Sequence, residues 1–280
     1  MKMLFRFLFL LATLSTATGC TSLFYQPTKI EYVDREKMPI KPSDEFFASE
    51  DGTRLHGWYF ESAQSTRKKC VILQYHGNAQ NLSSHFFSLY NGLPRGYDFF
   101  SFDYRGYGRS EGTPNATGIA KDGRAALRYV QAKFPDRKII VFGQSLGGAI
   151  ALQALADLRG EVEPASVIID SSFPSYRSAA RSTLASHWLT WLFQPVGWLV
   201  MSDEYAPKNG IERLKGIPLL FVHGTDDRIV SYKQGQRLLE IAPEPKDFWS
   251  IPGGGHIDFM YRDHGVWAKK FYDRLDGICQ

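Results

Sequence analysis

Ser145 is the residue whose setting most clearly predicts chemistry. It stands in Gly143-Gln144-Ser145-Leu146-Gly147, between an apolar run at 139–142 and a helix-favouring run at 149–154. A serine hydroxyl is a poor nucleophile at neutral pH unless it is exposed and has a base within hydrogen-bond reach. A sharp strand-to-helix turn, with glycine two positions before and two after, supplies the exposure. The pattern predicts a nucleophilic serine, and the five residues alone also fit a glycine-rich turn without chemistry.

The loop 76–81, His-Gly-Asn-Ala-Gln-Asn, directly follows an apolar run. Acyl transfer places negative charge on an oxygen, and fixed backbone N–H groups stabilise it. We expect one such group from Leu146, the residue after the nucleophile, and a second from Asn78. His76 precedes the nucleophile in the chain, so we interpret it as a structural residue that bonds the backbone of its own loop.

Two motifs near the C-terminus provide a candidate acid and a candidate base. In the segment 223–230, His-Gly-Thr-Asp-Asp-Arg-Ile-Val, the spacing Gly-x-x-Asp-x-x-Val selects Asp227 over Asp226. Asp170, at the end of the preceding predicted strand, is a third candidate. A carboxylate here would orient and stabilise an imidazolium. His256 follows three glycines and takes the place of the base in the chain order Ser, Asp, His.

Short apolar runs alternate with helical stretches along most of the chain and must position these residues. The predicted strands are 44–48, 55–60, 70–75, 98–103, 138–142, 166–170, 219–223 and 248–251. The predicted helices are 83–93, 118–133, 146–158, 233–241 and 264–275. Such alternation indicates a mostly parallel sheet of about eight strands with helices on both faces. The first two strands flank Glu50-Asp51-Gly52-Thr53, which predicts a hairpin and therefore a mixed sheet.

Together with Asp103-Tyr104-Arg105-Gly106-Tyr107-Gly108-Arg109-Ser110-Glu111-Gly112, these motifs resemble those of the α/β-hydrolase superfamily. Within it they are similar to the Bem46-like, serine aminopeptidase S33-like branch, which includes protein depalmitoylases. The resemblance runs from about residue 44 to residue 275. It implies the α/β-hydrolase fold, a Ser145–Asp227–His256 triad, and hydrolysis of an ester, a thioester or an amide. Ser110 lacks the strand-to-helix setting of a nucleophile.

The leading functional hypothesis is a serine hydrolase that cleaves a carboxylic ester or thioester through an acyl-enzyme on Ser145. Its substrate would be a small molecule or an acylated partner. A peptidase or amidase of the serine aminopeptidase type is an alternative, as is a non-catalytic envelope binding protein on the same fold. A predicted helical cap at about 173–207 contains the aromatic segment 188–200. That segment either covers an acyl-binding cleft or packs as an amphipathic helix on the core.

The composition fits one large globular domain, expected at 43–280. The 280 residues are 44% hydrophobic and 22% charged, which excludes a disordered chain. The formal net charge is only +4, and basic residues alternate with acids or form short clusters such as 67–69. We therefore expect no nucleic-acid partner. No cysteine or histidine spacing suggests a metal site, and no cofactor is expected.

The N-terminus has the pattern of a targeting segment. Residues 1–19 contain two early basic residues, an apolar run and then small residues, which is typical of a secretory signal peptide. Ala17-Thr18-Gly19-Cys20 resembles a bacterial lipoprotein cleavage box, with alanine where leucine is usual. The resemblance implies lipidation of Cys20, a tether at 20–42 and a lipid-anchored protein of the bacterial cell envelope. An acidic residue after the lipidated cysteine is linked to retention in the inner membrane, and Thr21 is not acidic. If the source is Gram-negative, the resemblance therefore favours anchoring in the outer membrane.

The two remaining cysteines are Cys70, at the start of a predicted strand, and Cys279, one residue from the C-terminus. We expect Cys70 to be a buried, small apolar residue. A disulfide between the two is an alternative in an oxidising compartment, and the sequence leaves it open.

Overall fold

A mixed sheet forms the centre of the fold in the computed structural model, which describes residues 24–185 and 201–280. The strands in these ranges are β1 (Gln26–Pro27), β2 (Ser43–Ala48), β3 (Arg54–Phe60), β4 (Cys70–Tyr75), β5 (Ala79–Gln80), β6 (Asp98–Asp103), β7 (Lys138–Gln144), β8 (Ser166–Asp170), β9 (Leu219–Gly224) and β10 (Lys246–Ile251). Eight strands form one sheet in the order β10-β9-β8-β7-β4-β6-β3-β2. Only β3 runs opposite to its neighbours in that sheet, so the predicted mostly parallel sheet is confirmed.

The central strands are buried on both faces, which explains their continuous apolar sequences. In β7, Ile139 and Val141 join one core cluster, whereas Ile140 and Phe142 join the cluster on the opposite face. Successive side chains of a strand point to opposite faces, so a sheet covered on both sides requires an apolar residue at each position. The carboxyl ends of β4, β7, β8, β9 and β10 meet at one edge of the sheet. The loops with the candidate site motifs begin at that edge.

Helices cover both faces of the sheet. Those of the described residues are α1 (Leu82–His85), α2 (Phe87–Tyr90), α3 (Ala116–Lys133), α4 (Leu146–Asp157), α5 (Tyr176–Ala185), α6 (Tyr232–Ile241) and α7 (Val266–Ile278). Helices α3 and α4 bury residues in the first core cluster, and α2 and α7 bury residues in the second. A Cβ at Gly123 of α3 would lie 2.7 Å from Ile150 of α4, so glycine permits their close approach. Asn115 caps α3, since its side chain accepts a hydrogen bond from the Gly118 N–H.

The helix expected at 83–93 is divided, and this prediction is corrected. Helices α1 and α2 are separate single turns, and a 3₁₀ turn follows at Leu93–Arg95. The carbonyl of His85 accepts hydrogen bonds from the Gln74 amide and the Ser88 hydroxyl, and the Leu89 N–H bonds to Phe86 instead. Side chains therefore occupy the acceptor that a continuous helix would use.

Cys70 and Cys279 form a disulfide that joins the start of β4 to the end of α7. The expected burial of Cys70 is confirmed, because its side chain is fully buried. The expectation that it serves as a simple apolar residue was wrong. The C-terminal helix returns the last residues of the chain to the amino end of β4, where the Lys69 N–H also donates to the Cys279 carbonyl. This return places the two sulfurs side by side.

Residues 24–42, which belong to the expected tether, contact the body of the protein. We call residues 24–30 the N-terminal strap. In the strap, β1 pairs in parallel with β5 of the 76–81 loop, and Tyr25 is buried. The predicted signal peptide at 1–19 and Cys20 lie outside the described residues. No helix within the described ranges is long and apolar enough to cross a membrane.

The expected cap at 173–207 is described in part. It contributes α5 and the segment 201–207, which is followed by 3₁₀ turns at Pro207–Asn209 and Ile211–Leu214. The aromatic segment 188–200, for which we expected a cover or a packing role, lies outside the described residues.

Candidate active site

Ser145 occupies the turn between β7 and α4 with a strained backbone, at φ 52° and ψ −117°. Non-glycine residues rarely adopt such angles, and they occur preferentially at functional sites. The flanking glycines are sterically required: a Cβ at Gly143 would lie 2.7 Å from the Gly148 Cα, and one at Gly147 would lie 2.2 Å from the Tyr75 carbonyl oxygen. The predicted strand-to-helix turn is therefore present, and the shape of its surroundings enforces it.

His256 and Asp227 form the second part of the site. The His256 Nδ1 lies 2.8 Å from the Asp227 Oδ2, and the Asp227 Oδ1 accepts hydrogen bonds from the Ile229 and Val230 N–H groups. The carboxylate accepts a hydrogen bond from the Nδ1–H, so the neutral imidazole keeps a lone pair on Nε2 that can take a proton. The loop after β9 thus holds the acid rigidly, and the acid orients the base.

The Asp227 carboxylate is kept ionised by its neighbours. Burial opposes its ionisation, but hydrogen bonds from His223 and His256 outweigh burial and lower its pKa. The His223 Nε2 lies 3.3 Å from the Asp227 Oδ2 and 2.8 Å from the Val230 carbonyl oxygen. A negative charge therefore faces His256 at neutral pH and favours the protonated imidazole that acyl transfer requires.

The two competing carboxylates lie elsewhere. Asp226 is exposed and contacts the Thr225 hydroxyl. Asp170 is buried behind the nucleophile, where it accepts hydrogen bonds from the Ser171 hydroxyl and the Gln144 amide. Burial raises the pKa of Asp170 to about 6. Of the three candidates, the structure places Asp227 against His256, in agreement with the spacing of the motif.

The loop of His256 and the turn of Ser145 are tied together near Asp170. The Ile257 N–H donates to the Ser171 hydroxyl at 3.2 Å, and the Ser145 N–H donates to the Asp170 carbonyl at 2.8 Å. Ser171 follows Asp170 directly and has a positive φ of 54°. These contacts bring the candidate base loop and the candidate nucleophile to the same edge of the sheet.

The 76–81 loop lies beside the nucleophile. A Cβ at Gly77 would lie 3.8 Å from the Ser145 Cβ, so the backbone before Asn78 passes next to Ser145. Leu146 is the first residue of α4, where helical N–H groups have no partner within their own helix. The structure thus brings both expected oxyanion donors, Asn78 and Leu146, to the neighbourhood of Ser145.

The Asn78 side chain anchors this loop to the N-terminal strap. Its amide donates to the Phe24 carbonyl, and its oxygen accepts from the Gln26 N–H and the Tyr107 hydroxyl. The sequence suggested only a backbone role for Asn78. Its side chain also connects the candidate oxyanion loop to residues more than 50 positions earlier in the chain.

His76 and Asp103 support the same loop from below. The His76 Nδ1 lies 2.7 Å from the Gly77 carbonyl oxygen, and its Nε2 lies 3.2 Å from the Asp103 Oδ1. The Asp103 carboxylate also accepts a hydrogen bond from the Leu82 N–H. Burial opposes ionisation of Asp103, but the neighbouring His56 and His76 rings outweigh burial and lower its pKa. His76 contacts the backbone of its own loop, as its interpretation as a structural residue requires.

Sequence reasoning missed two histidines near the site. His223 belongs to the acid motif and contacts Asp227, but the motif spacing assigned it no role. His85 lies between the loop and α2: its Nε2 is 2.9 Å from the Ala79 carbonyl oxygen, and its ring packs against Gly77. Burial lowers the pKa of His85 to about 4, so it is neutral at neutral pH. His85 lies in the first turn of the helix predicted at 83–93, and that position gave no sequence signal for its contact with the Ala79 carbonyl.

The arrangement suits acyl transfer. It combines a serine hydroxyl in a strained strand-to-helix turn, a histidine oriented by a buried carboxylate at the same sheet edge, and backbone N–H groups beside the serine. In the described ranges, no group of three or more His, Cys, Asp or Glu residues is arranged to hold a metal ion.

Comparison with known proteins gives one family match and several relatives. Residues 71–192 match the family model of the alpha/beta hydrolase fold. The chain is 35% identical to the uncharacterized protein YfhR of Escherichia coli K12 over 234 residues, which cover 81% of this chain and 78% of that protein. It is 31% identical to the lysophosphatidylserine lipase ABHD12 of Mus musculus over 233 residues, which cover 78% of this chain and 57% of that longer protein.

Solved structures share the fold at low sequence identity. The esterase Pf2001 of Pyrococcus furiosus superposes with a TM-score of 0.73 at 19% identity and covers 92% of this chain and 99% of its own. The esterase EaEST of Exiguobacterium antarcticum superposes with a TM-score of 0.60 at 18% identity and covers 84% and 98% of the two chains.

Proposed function

Because the chain belongs to the α/β-hydrolase superfamily, we propose that it is a serine hydrolase that cleaves carboxylic esters or thioesters through an acyl-enzyme on Ser145. The observation that carries the proposal is the 2.8 Å contact between His256 and Asp227 at the sheet edge where Ser145 occupies its strained turn. A strand-to-helix turn in which the serine had no catalytic role would need neither an oriented histidine nor a buried, ionised carboxylate beside it.

The proposed reaction follows from the three side chains. The Ser145 Oγ attacks the carbonyl carbon of the substrate while His256 takes the hydroxyl proton, and the Leu146 and Asn78 N–H groups stabilise the oxyanion. His256 then gives the proton to the leaving alcohol or thiol as its bond to the carbonyl breaks. Water, deprotonated by His256, then attacks the carbonyl carbon of the acyl-enzyme. The bond from that carbon to the Ser145 Oγ breaks, His256 returns the proton to the Oγ, and a carboxylic acid is released. Asp227 stabilises the imidazolium in both steps.

An apolar cleft beside α4 supports an acylated substrate. Its side chains are mostly aliphatic or aromatic: Phe24, Tyr25, Ile119, Ile150, Tyr176 and Met201. Ile150 lies on α4, the helix that directly follows Ser145, five residues beyond the serine. Ligand sites of this chemistry bind apolar chains. The lipase name of the mouse relative points to esters in the same way, and we therefore favour esters over amides.

We also propose that the protein is exported and anchored in the cell envelope by a lipid on Cys20. The N-terminal pattern carries this proposal. The buried Cys70–Cys279 disulfide supports it, since disulfides persist mainly outside the cytoplasm.

Labelling with a fluorophosphonate probe tests the catalytic proposal. We expect the wild-type protein to be labelled and the Ser145→Ala variant not to be, because the probe reacts only with an activated serine. Ser110→Ala, a second buried serine outside the turn, is the matched control and should label like wild type. Hydrolysis of p-nitrophenyl esters, measured beside chromogenic aminoacyl amides, separates an esterase from a peptidase. An unlabelled, folded wild type would contradict the proposal.

A further inference from the structure

A strongly basic groove lies between α5 and α6 and has no part in the catalytic proposal. We define the basic groove by its charged lining: Arg177, Arg181, Lys208, Lys233, Arg237 and Asp203. Five cations thus surround one carboxylate among the described residues of its wall. Four serine hydroxyls and one glutamine amide line the same space. Cations beside neutral hydrogen-bonding groups are the chemistry of an anion site.

The two helices present their cations in matching pairs. Arg177 and Arg181 are one turn apart on α5, and Lys233 and Arg237 are one turn apart on α6. Residues four apart lie on the same helix face, so each wall of the groove has two positive charges above one another. Both α6 cations are exposed.

Hydrogen bonds between the helices hold the walls at a fixed separation. The Ser178 hydroxyl donates to the Gln234 side-chain oxygen at 2.9 Å, and the Gln234 amide donates back to the Ser178 carbonyl at 3.2 Å. The Ser182 and Ser231 hydroxyls lie 3.0 Å apart. The like charges therefore cannot relax by separation of the helices, and the groove is a preformed feature of the fold.

The two cations of α6 are not balanced by the carboxylate of the groove. Asp203 accepts from Lys208, from the Ser175 hydroxyl and from the Arg177 N–H, so the one carboxylate is already engaged. Lys233 and Arg237 lie within 4.0 Å of no acidic side chain in the part of the chain that is described. Like charges held close together disfavour the folded state, and a bound anion relieves this cost.

Both walls begin next to the triad. Ser231 directly follows Val230, whose N–H donates to the Asp227 carboxylate. On the other side, the Ser172 hydroxyl donates to the Ser145 carbonyl, and Ser175, three residues later, lines the groove. A molecule whose ester reaches Ser145 can therefore extend a second group into the basic groove.

We propose that the basic groove binds a phosphate group on the ester that Ser145 attacks. Phosphate is the anion that several converging arginine and lysine side chains recognise best, through charge-assisted hydrogen bonds. The inference rests on the proposed esterase activity and adds its substrate class: acyl esters with a phosphate at the end opposite the acyl chain. Lys233 and Arg237 select this substrate and take no part in the chemical step.

The test compares two esters with the same acyl chain, 1-oleoylglycerol 3-phosphate and 1-oleoylglycerol, in the same neutral detergent micelles. The test variant is Lys233→Gln with Arg237→Gln, and the control is Lys215→Gln, an exposed lysine that precedes β9 at the opposite edge of the sheet. We expect wild type to prefer the phosphate ester by at least about ten-fold in kcat/KM, as two charged hydrogen bonds allow. The double variant should lose that preference through KM and hydrolyse 1-oleoylglycerol within about two-fold of wild type. The control should retain the preference.

Inorganic phosphate separates a substrate site from a site for free anions. If the groove binds the ester phosphate, added phosphate inhibits hydrolysis of the charged ester and leaves the neutral ester unaffected. Equal hydrolysis of both esters by wild type, or an unchanged preference in the double variant, overturns the proposal. If wild type hydrolyses neither ester, the esterase proposal fails separately. Calorimetric titration of Ser145→Ala with inorganic phosphate then decides whether the groove binds anions, and absence of binding overturns that part as well.

Discussion

The two halves of the candidate site are held in different ways. Ser145, Asp227 and His256 each stand on a loop directly after a strand of the sheet, so neighbouring backbone fixes them. The 76–81 loop also follows a strand and is supported by His76 and Asp103, but it makes additional contacts with the N-terminal strap. The nucleophile, acid and base therefore depend on the parallel sheet, whereas the oxyanion loop depends in addition on a segment that lies before the sheet in the chain.

Each half has a buried carboxyl behind it, and the pKa values of these two carboxyls are shifted in opposite directions. Asp170 behind the nucleophile has a raised pKa, because burial outweighs its hydrogen bonds. Asp103 behind the oxyanion loop has a lowered pKa, because His56 and His76 outweigh its burial. In the oxyanion half, the negative charge of Asp103 is thus stabilised by its neighbours. In the nucleophile half, ionisation of Asp170 lowers the stability of the fold. Backbone strain does not follow this division, because positive φ angles occur at Ser145 and Ser171 and also at Gln80 of the 76–81 loop.

The largest expected effect is in the catalytic half. Asp227→Asn removes the charge that faces His256 and disturbs its tautomer, so we expect kcat to fall by about 10,000-fold. Asp226→Asn is the matched control on the adjacent residue and should change kcat by less than about two-fold. Ester hydrolysis measured by stopped assay over the same protein concentrations provides both values. A large loss in the Asp226 variant with little loss in the Asp227 variant would reverse the assignment.

The second prediction separates the two buried carboxyls by pH. The pKa of Asp170 rises from 3.8 to about 6 on folding, so its stabilising contribution is present below pH 3.8 and is lost as pH rises to about 6. His223 and His256 lower this pKa but do not cancel the effect of burial. The shift corresponds to about 3 kcal/mol. The unfolding free energy of Asp170→Asn relative to wild type should therefore increase by about that amount between pH 4 and pH 7.

Asp103→Asn is the counterpart with the opposite sign. The lowered pKa of Asp103 means that its contribution is complete above the unfolded pKa and is lost as pH falls below it, so the amide variant should become relatively less stable as pH rises from about 2.5 to about 5. Urea unfolding of both variants and wild type from about pH 2.5 to about pH 7 measures the two slopes, each in its own pH range. Parallel slopes for the two variants would remove the distinction between the carboxyls.

The smallest expected effect concerns the strap. Asn78→Ala removes the side-chain contacts with Phe24, Gln26 and Tyr107 but keeps the backbone N–H. Loss of a whole oxyanion donor costs about 100- to 1,000-fold in kcat, so a displaced donor should cost less, roughly ten-fold. Asn91→Ala, an exposed asparagine after α2, is the control. A change in unfolding free energy with kcat unaltered would show that the strap serves stability alone.

Much of the fold was predictable because each signal was local. The apolar runs of β7 and β9 are continuous since both faces of the sheet are buried, and such runs are visible without knowledge of their neighbours. Gly143 likewise serves a close approach to Gly148 within a few residues, whereas Gly147 makes room for the distant Tyr75 carbonyl and was visible only through the serine motif. Asp227 was separable from Asp226 because hydrogen bonds within its own turn, from Ile229 and Val230, require that spacing.

The features that were missed depend on contacts between distant parts of the chain. The helix expected at 83–93 is interrupted because the Gln74 side chain, from a strand, takes up the His85 carbonyl. The strap contacts Asn78 only in the folded chain, and no periodicity in residues 24–30 predicts that contact. Cys70 and Cys279 are 209 residues apart, and pairing cannot be deduced from spacing alone.

The disulfide has a topological consequence for the chain. It closes a covalent ring from residue 70 to residue 279, which includes the strands and loops of Ser145, Asp227 and His256. A single peptide-bond cleavage in any described loop of this ring opens it without releasing a fragment, and the two pieces stay linked at Cys70 and Cys279. The strap, by contrast, lies outside the ring. A cut between the strap and residue 70 detaches the oxyanion loop's anchor from a catalytic half that remains one covalent unit.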